Sequence, residues 1–300
     1  MKKHHFFYLL VPVTTVACML ISSCQKSNNP VTQPITTGQG VQLMAATNAL
    51  HTSTVSDNES VNDVVASADV IDSSSHCAII TFNPSKSVYP HQKIIDYGSG
   101  CPADDGHTRK GKKIITVLID PKNAAPGDEI TEITFENYYL DSNNITGVIK
   151  GYLLSSNNPG PRQMKFISDK TIFSPNGDKN IVKGTHIFTL VEGANTIKRK
   201  DDVYQITGYA EGSESLDSST IFTWTTEIDS AHPVIKPVEC DHRTKGGVKI
   251  NIHVLKAVDS TYTAYLDYGD GTCDEKATLS INGSAPKDIM LPLSFWPFNL

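Results

Sequence analysis

The residues best suited to chemistry lie near the end of the 300-residue chain, in Asp267-Tyr268-Gly269-Asp270-Gly271-Thr272-Cys273-Asp274-Glu275. Asp267, Asp270 and Asp274 offer carboxylate oxygens at close spacing, which are ligands that calcium prefers, although the spacing is not that of an EF-hand. Asp and Gly at a strand end are also the residues that tight turns use. We therefore predict a turn here, with these three aspartates as weak calcium candidates and with no cofactor.

A similar stretch lies upstream, in Asp96-Tyr97-Gly98-Ser99-Gly100-Cys101, where Ser99 replaces the central aspartate. A further cysteine precedes each copy, Cys77 in the first and Cys240 in the second. Four cysteines allow three pairings, and the repeat predicts Cys77–Cys101 and Cys240–Cys273, each enclosing one hairpin. A zinc site is the weaker interpretation, because no two of these cysteines have the close spacing of zinc ligands.

Aspartate and histidine follow cysteines at both ends of this region, as Asp105 with His107 and Asp241 with His242. If the two hairpins were neighbours in space, these four side chains could meet as a metal site. The simpler interpretation is that they are solvated loop residues.

Motifs for catalysis are missing from the sequence, which has no Gly-x-Ser-x-Gly, no phosphate-binding loop and no dinucleotide fingerprint. The sequence therefore predicts a non-enzymatic binding or structural module. A hydrolase acting on glycan stays an alternative, because two placed carboxylates would suffice. A curled sheet that shields a lipid in its concave face is the other alternative.

Tyrosines recur in the expected strands at spacings that suit sheet packing. If some were exposed together, they could form a sugar-binding platform. The tyrosines concerned are Tyr97, Tyr138, Tyr139, Tyr152, Tyr209, Tyr265 and Tyr268.

The N-terminus carries an export signal: basic residues, an apolar run from Phe6 to Ile21, and Ser22-Ser23-Cys24. This segment resembles a bacterial lipoprotein signal, which implies cleavage after residue 23 and acylation of Cys24 by chains such as palmitate. An ordinary secretory signal is the alternative. Removal of Lys2 and Lys3 would change the net charge from −6 to −8. An acidic surface argues against nucleic acid as a partner and leaves a protein or a glycan.

The chain divides into a signal (1–23), a polar tether (24–40), a partly helical linker (41–73), a β domain (74–292) and an aromatic tail (293–300). Ser56 and Glu59 fit a capping box, and the apolar spacing after it predicts a helix near 57–70; a second short helix is expected at 42–50. The tail is expected to pack over an open sheet end, with a partner-docking segment as the alternative.

Alternation of apolar and polar residues from Cys77 onwards predicts about a dozen short strands joined by tight turns. In the middle of the chain, strands are expected at 186–191, at 203–210 and at 220–226, with a loop over 211–218. The fold class is therefore all-β: an antiparallel meander of one or two large curled or stacked sheets, with a short N-terminal helical segment.

The C-terminal motif and its flanks, Gly246-Gly247-Val248-Lys249-Ile250 and 266–283, resemble those of a group of uncharacterised outer-membrane lipoproteins of the Bacteroidota. The likeness extends over about 77–291 and implies a lipid-anchored, outer-membrane protein with an all-β body. Gln25 after the cysteine is compatible with the outer membrane. The absence of an acidic cluster over 25–29 favours the periplasmic face over the cell surface.

Overall fold

The computed structural model describes residues 77–103, 107–156, 161–196, 199–215, 221–240, 242–255 and 260–291. These residues form an all-β fold, as predicted, with one 3₁₀ turn at Arg199–Asp201. The signal, the tether, the expected helices and the aromatic tail lie outside the described residues. Among the residues that are described, no helix has the length and hydropathy needed to cross a membrane.

Fifteen strands make up the described part of the fold. They are β1 (Ile79–Asn83), β2 (His91–Asp96), β3 (Cys101–Pro102), β4 (Thr108–Val117), β5 (Glu129–Leu140), β6 (Asn143–Ser155), β7 (Gln163–Phe173), β8 (Lys179–Glu192), β9 (Val203–Ser215), β10 (Ile221–Ile228), β11 (Val234–Pro237), β12 (Lys245–Leu255), β13 (Ser260–Asp270), β14 (Lys276–Ile281) and β15 (Lys287–Met290).

The strands form a single antiparallel meander, in which nearly every strand pairs with its neighbours in sequence. Two short strands lie off this path: β3 pairs with β4, and β11 pairs with β9 and β12. Because β10 and β11 both pair with β9, they act as one strand interrupted at 229–233. The Asp229 carboxylate stabilises this interruption by accepting hydrogen bonds from the amides of Ala231 (2.7 Å) and His232 (2.8 Å).

The alternation that predicts the strands also divides the sheet into two faces. On β7, for example, Met164, Phe166, Ser168, Lys170 and Ile172 are buried, and the residues between them are more exposed. One core cluster includes buried residues from β2 through β14. A flat sheet would leave that face open to water, so the sheet must curl until its apolar face covers itself.

Glycine on the inner face lets large rings lie close to the backbone. Gly212 of β9 faces Trp224 of β10, and a Cβ at Gly212 would overlap the indole ring. Gly151 of β6 is likewise covered by the ring of Phe166 on β7. Glycine inside a strand often marks such a close approach or a bend. These positions therefore allow the central strands to curve around the core.

Both predicted disulfides are present, Cys77–Cys101 and Cys240–Cys273, with Cα–Cα distances of 5.6 and 5.8 Å. The first ties the segment before the edge strand β1 to β3. The second joins the end of the β11 segment to the turn after β13. Each bridge therefore fixes a short or peripheral element to the sheet.

The strands predicted at 186–191 and 203–210 are present in the middle of the chain, but both are longer than predicted. β8 begins at Lys179 rather than at 186, and β9 continues to Ser215 through residues expected to form a loop. Glycine and charged residues in these segments resemble a loop in sequence. Both segments form strands because their charged residues, Lys183 on β8 and Glu211 on β9, lie on the solvent-facing side. These two residues are neighbours in the register of the two strands.

Candidate binding groove

A groove of about 440 Å³ lies on the solvent-facing side of β8, β9, β10, β12 and β13. Five strands spaced about 4.8 Å apart give the groove a width of about 19 Å across the strands. The strand register arranges its floor in two lateral rows that lie about 7 Å apart, two residues along each strand. The groove is therefore a shallow surface that crosses the sheet.

The first row carries charged, hydroxyl and amide side chains. Its members are Lys183, Glu211, Thr225 and Asn251, paired in that order across β8, β9, β10 and β12. The Nδ2 group of Asn251 donates to Thr225 Oγ1 at 3.2 Å, so the register holds the amide and hydroxyl side by side.

The second row is mostly hydroxyl-bearing and ends in one aliphatic residue. Its members are Ile181, Ser213, Thr223, His253 and Thr261. Both rows together present many groups that can donate and accept hydrogen bonds. Ile181, Trp224 and Ile252 also line the groove, so it offers a ligand apolar surface beside its hydrogen-bonding groups.

Charges in the groove nearly balance. Lys183 Nζ lies 3.2 Å from Asp169 Oδ2 on the neighbouring strand β7, and both side chains are 56% exposed. Glu211 is the one carboxylate among the described residues that line the groove. Hydrolysis of glycosides usually requires two carboxyl groups, one of them a general acid with a pKa raised by its surroundings. Glu211 is exposed and lies beside Lys183 in the register of β8 and β9.

Aromatic rings border the first row. Tyr209 and Tyr265 belong to the next lateral row, in which Glu227 and Lys249 lie between them. Their exposed fractions are 56% and 39%. The ring of Tyr265 lies across Gly247, where a Cβ would overlap its hydroxyl oxygen. Burial raises the pKa of the Tyr265 hydroxyl, and Asp267 and Asp229 raise it further, so this group stays a neutral donor.

The other tyrosines are not part of this surface. Tyr97, Tyr138 and Tyr268 are buried in the core, and the Tyr268 hydroxyl lies 3.1 Å from Arg243 Nη1. Tyr139 and Tyr152 are half-buried. Their rings lie beneath lysine ammonium groups: Lys110 over Tyr139 at 5.1 Å and Lys165 over Tyr152 at 4.9 Å.

The calcium candidates are all used in turns. Asp267 accepts from the amide of Gly269, Asp270 from that of Thr272, and Asp274 from that of Lys276, at 2.9, 3.0 and 3.1 Å. In the upstream copy, Asp96 accepts from Gly98 at 2.9 Å in the same way. The side-chain and amide hydrogen bonds from Thr272 lower the pKa of Asp270. This carboxylate is therefore ionised and accepts both hydrogen bonds.

The sequence did not indicate the contact that His107 makes. The His107 Nδ1 lies 2.9 Å from Asp141 Oδ2. Asp141 belongs to the two-residue turn between β5 and β6. Of the other members of the predicted metal cluster, Asp105 and Asp241 lie outside the described residues, and His242 is described and half-buried. Within the described ranges, no three His, Cys, Asp or Glu side chains are placed to hold a metal ion.

The remaining site prediction, acylation at Cys24, also concerns a residue outside the described ranges. Comparison of the chain with protein-family models, with curated proteins and with solved structures finds no match in any of the three.

Proposed function

We propose that the protein is a lipid-anchored, non-catalytic binding module of the cell envelope, and that the groove on β8–β13 is its binding site. The single observation that supports this proposal is the groove floor, where two lateral rows of polar side chains from five strands meet on one solvent-facing surface. The likeness of the N-terminus to a lipoprotein signal supports acylation at Cys24 and attachment to the outer membrane.

A bulky substitution in the floor tests the proposal. Ser213→Trp places an indole in the second row and should block the groove. Thr116→Trp on β4 is the matched control, because it makes the same kind of change on the solvent-facing side outside the groove. Both full-length variants and the wild-type chain would be immobilised from detergent solution and exposed to a solubilised envelope extract of the source organism.

The sugar, protein and lipid retained by each chain would then be analysed. We expect wild-type protein and Thr116→Trp to retain the same envelope component, and Ser213→Trp to lose at least nine-tenths of it. Equal retention by all three chains would show that the groove is not the binding site.

A further inference from the structure

We infer that the groove binds an uncharged polysaccharide, with Tyr209 as its principal stacking platform. This inference rests on the proposed function and adds to it the chemical class of the ligand. It follows from four features of the groove: the hydroxyl and amide groups of its floor, its charge balance, its bordering rings and its open shape.

The floor matches the edges of sugar rings. A serine or threonine hydroxyl both donates and accepts a hydrogen bond, and an asparagine amide does the same through two different atoms. Sugar hydroxyls have the same dual character. Thr225 and Asn251 in the first row, and Ser213, Thr223 and Thr261 in the second, form a surface on which successive sugar hydroxyls can exchange hydrogen bonds.

Charge favours a neutral polymer over an anionic one. The ammonium group of Lys183 is already paired with Asp169 at 3.2 Å, and Glu211 beside it would repel a uronate or a sulfate. The whole chain is also acidic, with a net charge of −6. A strongly anionic polysaccharide would therefore be repelled both at long range and at the floor.

Tyr209 supplies the apolar contact that sugar rings require. Its side chain is more than half exposed, and it lies two residues along β9 from Glu211, directly beside the floor. Sugar rings carry C–H groups on their faces, which pack against aromatic rings while the hydroxyls at their edges bond to polar groups. Tyr265 offers a second ring three strands away, about 14 Å along the same lateral row.

The shape of the groove favours a chain over a small molecule. Pockets for small ligands bury most of the ligand surface, whereas this groove is shallow and crosses five strands. A polymer gains affinity by extending across all of them. We therefore expect oligosaccharides that span both tyrosines to bind more tightly than disaccharides of the same sugar.

Affinity electrophoresis in gels that contain one polysaccharide each is the test. The probes are uncharged polymers (α-glucan, mixed-linkage β-glucan, xylan, mannan, galactan and soluble chitosaccharides) and two anionic polymers, polygalacturonate and alginate. The samples are the full-length wild-type protein in detergent and the variants Tyr209→Ala, Tyr209→Trp and Ser213→Trp. Tyr139→Ala is the control, because it removes a half-buried tyrosine from β5, outside the groove.

We expect at least one uncharged polymer to retard the wild-type protein, and the anionic polymers not to retard it. The affinity for that polymer should fall about tenfold in Tyr209→Ala. Loss of a stacked aromatic ring costs a binding free energy that corresponds to about this factor. Tyr209→Trp and Tyr139→Ala should bind like wild type, and Ser213→Trp should not bind.

Two results would overturn the inference, and they are distinguishable. If no uncharged polymer is retarded but Ser213→Trp abolishes capture of an envelope protein, the groove binds a protein, and only the ligand class is wrong. If Ser213→Trp changes neither the retardation by polymers nor the capture of envelope components, the proposed function fails as well.

Discussion

At the scale of single residues, Asp141 and His107 make a polar contact that lies outside the groove. The Asp141 backbone has φ +55° in the turn between β5 and β6. One of its carboxylate oxygens contacts the His107 ring, and the other accepts from the Thr108 amide at 3.0 Å. The carboxylate therefore joins the turn to the start of β4.

This contact predicts a pH-dependent contribution to stability. Burial raises the pKa of Asp141, but the hydrogen bonds from His107 and Thr108 outweigh it, so the folded-state pKa lies below its ordinary value. Because the folded-state pKa is lowered, the stabilisation that this carboxylate provides is present above its unfolded-state pKa of about 3.9. It is lost as the pH falls through the folded-state pKa.

Asp141→Asn should therefore reduce the free energy of unfolding by about 1 kcal/mol at pH 7, at the low end for a charged hydrogen bond because the site is partly exposed. The asparagine tolerates the same backbone conformation. Urea denaturation at pH 7 and at pH 3 would check this, with Asp288→Asn on β15 as the control. A difference from wild type that is as large at pH 3 as at pH 7 would contradict the assignment.

A second prediction for a single residue concerns steric overlap on the inner face of the sheet. Gly212→Ala adds a methyl group where the Trp224 ring lies, and overpacking of this kind costs about 1–3 kcal/mol. Gly184→Ala is the graded control, because its nearest neighbours, Ala210 Cβ among them, would be 3.2–3.3 Å away and need to shift only slightly. Thermal unfolding should show a larger decrease in Tm for Gly212→Ala. Equal decreases would mean that Trp224 does not pack on Gly212.

At the scale of elements, the edge strand β1 depends on its disulfide. Four of its five residues are exposed, including Ile79 at 66%, so it buries little surface when it pairs with β2. The Cys77–Cys101 bridge encloses a separation of 24 residues, for which loop-closure entropy implies about 3 kcal/mol. The bridge therefore gives a covalent attachment to a strand that buries little surface of its own.

Replacing both cysteines, Cys77→Ser with Cys101→Ser, should release β1 and leave the central strands folded. Hydrogen exchange followed by mass spectrometry would measure this. We expect the amides of β1 that donate to β2 to lose protection, while those of β7 and β8 exchange as in the wild type. The matched double variant, Cys240→Ser with Cys273→Ser, should leave β1 protected. Protection of β1 without its own bridge would show that packing alone holds the strand.

Prediction from sequence succeeded where the pattern was strong and failed in parts of β8 and β9, which are two of the five strands that form the groove. Strict alternation on β12, with Val248, Ile250, Ile252 and Val254 inward, identifies a strand because one face is buried and the other wet. The segments 179–185 and 211–215 carry glycine and charge, which are depleted in strands. Their register with neighbouring strands is a tertiary property that no local pattern records, and those segments supply Ile181, Lys183, Glu211 and Ser213 to the groove.

At the scale of the whole molecule, the sheet has one face that covers itself and one face that carries the groove. The lipid-binding alternative requires an open apolar concave surface, whereas the buried apolar residues on the inner face of the described sheet pack on one another in one core cluster. The hydrolase alternative requires a second placed carboxyl group, and the described lining has Glu211 alone. The groove on β8–β13 is the observation on which the proposed binding module rests.

The proposed attachment of the whole molecule to the membrane rests on acylation of Cys24. Each buried methylene of an acyl chain contributes about 0.8 kcal/mol, and stable anchoring takes more than one chain. We expect the wild-type protein to sediment with membranes and Cys24→Ala to stay in the soluble extracytoplasmic fraction. Cys18→Ala is the matched control, because Cys18 lies in the segment expected to be removed. Membrane sedimentation of Cys24→Ala would refute the anchor.

If the protein is anchored in the outer membrane and binds a glycan, as proposed, the side that its body faces decides which glycans the groove can meet. Residues 25–29 lack an acidic cluster, so we expect the body to face the periplasm. Protease added to intact cells should then leave the protein uncut, and cleavage should begin only after the outer membrane is permeabilised. Blotting with an antibody to the β domain would detect either result. Cleavage on intact cells would instead place the groove at the cell surface, where only external polysaccharides could reach it.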